Sequence, residues 1–84
     1  MIQVTIGNNL KRKAFNISPD MTLRAALEQY GPEVNVDYTV GMMSLDGSTV
    51  SGAEFDKSFR EFGYTGEAGH NKCFLLNVVK ADNA

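Results

Sequence analysis

Cys73 and His70 stand three residues apart, and a thiolate beside an imidazole is the smallest set that supports nucleophilic catalysis. The setting argues against that use. Cys73 falls in the apolar run Lys72-Cys73-Phe74-Leu75-Leu76-Asn77-Val78-Val79, where a free cysteine behaves as a small hydrophobe, and no third residue is spaced to orient the imidazole. One His and one Cys are also too few for a tetrahedral metal site, which takes about four ligands. Asp56 with Glu61, or Glu54 beside Lys57, have the residue types for acid and base work. They occupy polar positions of a segment whose Phe55, Phe59 and Phe62 form an oily stripe at helical spacing, and they read as solvated surface. The glycines at 63, 66 and 69 lack the Lys-Ser/Thr ending and the following helix of a phosphate cradle. The chemistry-bearing residues thus lead to an expectation of no catalytic residue, no cofactor and no metal, and so of a protein that is not an enzyme.

Composition narrows the partners. The chain of 84 residues has room for one domain, and 43% hydrophobic with 21% charged residues is the balance of an ordinary globular protein. Its formal charge is -2, with Lys11-Arg12-Lys13 the one basic cluster, which argues against nucleic acid as partner. A single cysteine cannot close an intrachain disulfide, no stretch reaches the length of a membrane span, and Met1-Ile2-Gln3-Val4 lacks the early positive charge of a signal peptide. The expectation is a cytoplasmic domain over residues 1–80, with 81–84 a fraying tail.

The elements that would position any site follow from periodicity. Ile2, Val4 and Ile6 alternate with polar residues, a strand with one buried face; Gly7-Asn8-Asn9 turns the chain, and Phe15 and Ile17 continue a second strand. The run 18–30 carries the main helix: Thr22 caps it, Leu23, Ala26, Leu27 and Tyr30 share one face, and Gly31-Pro32 ends it, the glycine supplying permissive backbone. Tyr38 to Leu45 reads as a third strand weakened at Gly41. Asp46-Gly47 is a hairpin turn into the brief strand Ser48-Thr49-Val50. Ser51-Gly52-Ala53-Glu54 has the form of a capping box and opens a short second helix that Gly63 stops. Tyr64 to Asn71 is a surface loop, and the apolar run from Lys72 is a central strand.

Two hairpins with a helix crossing between them, and the last strand beside the first, form the β-grasp arrangement. The expected fold is therefore α+β, a mixed sheet of four to five strands with one main helix over about 22–30 and a short second helix over about 52–62. Met1-Ile2-Gln3-Val4, Ser18-Pro19 followed by Thr22-Leu23, Asp46-Gly47 with Val50, and Phe74-Leu75-Leu76-Asn77-Val78 fall where ubiquitin and its relatives have their counterparts, and the chain resembles that family over nearly its whole length. Ubiquitin meets its receptors through an apolar patch on the open face of its sheet. With Phe74, Leu76 and Val78 turned toward the helix, the resemblance implies a protein-docking patch of Leu10, Val40, Met42, Leu75 and Val79; a homodimer contact is the other use of such a surface. Family members that are conjugated or carry sulfur end in Gly-Gly, whereas this chain ends Asn83-Ala84. A carrier or modifier acting through its C-terminus is the alternative reading.

Overall fold

The computed structural model describes residues 1–8, 10–36 and 43–77, and shows an α+β protein built on one mixed five-stranded sheet. The strands are β1 (Ile2–Asn8), β2 (Arg12–Ile17), β3 (Met43–Leu45), β4 (Ser48–Thr49) and β5 (Lys72–Asn77), in the order β2-β1-β5-β3-β4. β1 and β5 run parallel at the centre, and the other pairs are antiparallel. This arrangement is compatible with the expected β-grasp. β2 is an edge strand, and its Lys13 reaches back to the helix side, 3.5 Å from Glu33.

The main helix α1 (Leu23–Tyr30) forms where the apolar spacing predicts it. Thr22 Oγ1 accepts from the Ala25 amide at 3.1 Å, and Leu23, Ala26 and Leu27 are buried against the sheet. Tyr30 stacks on Phe15 of β2 with ring centroids 4.6 Å apart. The helix end differs from expectation. Gly31 keeps a right-handed φ of -54° and starts a 3-10 turn over Gly31–Val34 with Pro32 in its first positions; the left-handed residue that stops it is Asn35, at φ 55°. A Cβ on Gly31 would meet the Val36 carbonyl oxygen at 2.8 Å, so glycine is needed there for close packing rather than for its dihedral freedom.

The short second helix expected over 52–62 is two separate 3-10 turns, Ala53–Asp56 and Arg60–Phe62. The cause is a competing partner for the backbone. Lys57 is extended, and the stretch around it bonds to the segment leading into α1: the Leu23 amide donates to Lys57 O at 3.1 Å, Phe59 N to Met21 O at 3.2 Å and Arg60 N to Pro19 O at 2.8 Å. Each turn opens on its own Ser-x-x-Glu. Glu54 accepts from the Ser51 amide at 2.9 Å, and Ser58 and Glu61 exchange a full reciprocal pair at 2.9 and 3.2 Å. Phe55 and Phe59 still enter the core fully buried, and Phe62 packs at its margin.

The turn between β1 and β2 depends on Gly7. A Cβ there would lie 2.2 Å from the Lys11 carbonyl oxygen and 2.6 Å from the Arg12 Cα, both backbone atoms that cannot step aside. Gly7→Ala should therefore destabilise the protein by about 1–3 kcal/mol, the usual cost of overfilling a packed site, read as a lower urea midpoint at unchanged slope. An unchanged midpoint would show that the hairpin opens at no cost.

Candidate functional site

The inward face of β5 is set by its neighbours. Val4 pairs with Cys73 and Ile6 with Leu75 in parallel register, and paired residues share a face. Since Ile2, Val4 and Ile6 are buried beneath α1, Cys73 and Leu75 are buried with them, at 2% and 0% exposure. Phe74 and Leu76 consequently face away from the helix. This corrects the expected patch: Leu75 lies in the core, and the outward pair on β5 is Phe74, 49% exposed, with the half-buried Leu76. Val40, Met42 and Val79 lie outside the described residues. Leu10, at the tip of the β1–β2 turn, is 96% exposed but does not line the depression described next.

The open face reads as three rows across the sheet. Arg12, Gly7, Leu76, Ser44 and Thr49 lie in one; Ala14, Thr5 and Phe74 in the next; Asn16, Gln3 and Lys72 in the third. At Gly7 the place of a side chain is filled by the Lys11 carbonyl oxygen and by Arg12, whose Cγ lies 3.0 Å from where a Cβ would be. A shallow depression on this face is lined by Arg12, Asp46, Gly47, Phe74 and Leu76.

Asp46 fixes the far wall. It and Gly47 both have positive φ, 50° and 90°, the geometry of a tight hairpin turn. Its amide donates to Phe74 O at 2.9 Å, its Oδ1 accepts from the Phe74 amide at 2.8 Å, and its Oδ2 accepts from the Tyr64 hydroxyl. Burial and this bond push the Tyr64 hydroxyl well above the usual phenol range. The carboxylate side chain therefore takes the place that its own carbonyl would hold in a continuing ladder, and it holds Phe74 in position.

The residues that suggested catalysis are arranged for other ends. Burial, reinforced by the Asp46 charge, pushes the Cys73 thiol up to about 12, the opposite of an activated nucleophile. His70 is exposed in a turn closed by His70 N donating to Glu67 O at 2.8 Å and Gly66 N donating to His70 O at 2.9 Å, while Cys73 points into the core. Asp56 is held below its ordinary range by its hydrogen bond and charge pairing with Arg24 at 2.8 Å, and Glu54 by the hydrogen bonds from Ser51. A general acid needs the reverse shift. Among the described residues, no three His, Cys, Asp or Glu side chains are grouped to hold a metal ion, and no helix is long and apolar enough to cross a membrane.

Fold and face together define a small α+β protein with a helix packed on one side of its sheet and, on the other side, a half-exposed aromatic ring at Phe74. Comparison of the chain with protein-family models, with curated proteins and with solved structures gave no match.

Proposed function

We propose that this chain is a non-catalytic interaction module of ubiquitin-like build, and that it docks a protein partner on the open face of its sheet through Phe74 and Leu76. The observation that carries the reading is the half-exposed phenylalanine on the central strand, which lines a shallow depression together with the half-buried Leu76. A large aromatic in that place gains little by folding and much by being covered; burying an apolar side chain fully is worth about 1.5–3 kcal/mol. Aromatic anchors seated beside a groove are the usual energetic centres of protein interfaces. A cytoplasmic setting accords with the free thiol at Cys73.

Affinity capture with the immobilised protein tests this. The wild-type chain should retain a specific partner that Phe74→Glu loses by at least about tenfold, the 1.4 kcal/mol expected of one anchor, while circular dichroism and thermal unfolding stay unchanged. Equal capture by a folded Phe74→Glu variant would overturn the reading.

A further inference from the structure

The two charges that border the apolar pair differ in sign and stand on opposite flanks. In the antiparallel register of β3 with β5, Ser44 lies opposite Leu76 and Leu45 opposite Leu75, so Asp46 comes level with Phe74 on the β4 side of the central strand. Arg12 comes level with Leu76, beyond Gly7 on the β2 side. Three strand spacings, on the order of 14 Å of backbone, separate them. Both are exposed and line the depression with Phe74 and Leu76, and no ion pair joins them. Asp46 keeps its negative charge. Its two donors, the Phe74 amide and the Tyr64 hydroxyl, are neutral, and each carboxylate oxygen can accept a further bond. The Arg12 Nε donates to the Asn8 carbonyl at 3.2 Å, and the two terminal nitrogens of its guanidinium have no partner among the described residues. Lys11, Lys57 and Lys72 are also outside the ion pairs, but none of them lines this depression.

A surface with a cation on one flank, an anion on the other and an apolar strip between them is complementary to itself. A second copy, turned by half a rotation and laid face to face, sets its Asp46 against Arg12 and its Arg12 against Asp46. The two contacts form together, because a two-fold interface repeats every pairing. We infer that the occupant of the open face is a second copy of this chain, held in an isologous dimer by two Arg12–Asp46 pairs around a centre of Phe74 and Leu76. The inference rests on the open-face reading above and names its partner. A uniformly acidic or uniformly basic segment would gain at one flank and be repelled at the other. The net charge of -2 on each chain is small, so two copies repel each other only weakly. Five strands at about 4.8 Å spacing make the face about 19 Å wide, which places the contact at the small end of specific interfaces and makes the dimer a reversible one.

Sedimentation equilibrium of the full chain from about 10 μM to about 1 mM provides the test, with a Kd on the order of 100 μM expected of so small an interface. Wild type should form a dimer and nothing larger, and the dimer should weaken as salt is added. Phe74→Glu, Arg12→Glu and Asp46→Lys should each weaken association by at least about tenfold while circular dichroism stays native. An equimolar mixture of Arg12→Glu and Asp46→Lys should recover the dimer, because unlike charges then meet at both contacts. Should Asp46→Lys fail to fold, Asp46→Asn, which keeps an acceptor for the Phe74 amide, takes its place, and Arg12→Glu should bind it at least about tenfold more tightly than it binds itself. A dimer that survives Phe74→Glu, or one that needs Phe74 but is indifferent to the two charges, overturns the inference. A chain still monomeric at about 1 mM overturns it as well. If affinity capture nevertheless depends on Phe74, the open face docks a different protein; if capture is indifferent to Phe74, the open-face reading falls too.

Discussion

Leu75→Asp should unfold the protein, whereas Phe74→Asp, one residue away on the same strand, should leave it folded. Leu75 is fully buried between Ile6 of β1 and Leu45 of β3. Replacing it forfeits about 1.5–3 kcal/mol of burial and puts a carboxylate where the pairing residues offer only apolar side chains. The total should exceed about 5 kcal/mol, which is comparable to the whole stability of a domain of this size. Phe74 already stands half in water, so its exchange should cost within about 1 kcal/mol, the span of strand preference at an open position. Circular dichroism and thermal melts of the two variants decide the matter. A drop in Tm of more than about 20 °C is expected for the first, and less than about 8 °C for the second. The opposite ranking would mean that the sheet presents its other face to α1, and the docking surface would move with it.

The second large effect is alkaline. The Cys73 thiol ordinarily ionises near 9 and in the folded protein is pushed up to about 12, because burial penalises the thiolate and the Asp46 charge adds to that penalty. A raised folded value means that above pH 9 the native state holds a proton that the unfolded chain has released. Stability is therefore complete below about pH 9 and falls by up to about 1.4 kcal/mol per pH unit as the pH rises toward 12. By pH 11 the loss from Cys73 alone should reach about 2–3 kcal/mol. Tyr64, raised in the same direction, adds to it from about pH 10 upward. Urea midpoints at pH 7, 9, 10 and 11 should trace this decline, and Cys73→Ala should start from a lower midpoint and decline less. In the native state at pH 8, Ellman's reagent should label the thiol only as fast as the protein opens. Rapid native labelling, or parallel pH profiles for the wild type and Cys73→Ala, would show that the thiol is reachable by solvent and carries none of the pH dependence.

Much of the local structure was legible because it depends on neighbours in the chain. The alternation of Ile2, Val4 and Ile6, the Thr22 cap with its stripe of Leu23, Ala26, Leu27 and Tyr30, and the Asp46-Gly47 turn each satisfy nearby backbone or present one face, and each forms as its spacing requires. The burial of Phe55 and Phe59 followed from their spacing too. That spacing does not, however, reveal that residues 57–60 bond to residues 19–23, and this long-range pairing is what divides the expected helix into two 3-10 turns. A local trace of the break was present in the second Ser-x-x-Glu, at Ser58 and Glu61, which restarts the turn.

The candidate site depended on the one choice that β5 could not make for itself. Its run is apolar on both sides, and its polar residues disagree: Lys72 marks the side of Phe74 and Leu76 as wet, while Asn77 gives the same mark to the side of Leu75. The partner strand removes the ambiguity. In parallel register every residue of β5 shares a face with its neighbour on β1, and β1 has a clear alternation, so Ile6 carries Leu75 into the core and leaves Phe74 outside. By itself, then, the sequence determined the α+β class, the order of the elements and which face of the helix and of β1 is buried, since each of these is a property of residues close along the chain. Only the tertiary structure decided which side of the last strand meets water, because that is a property of a pairing between residues some seventy positions apart.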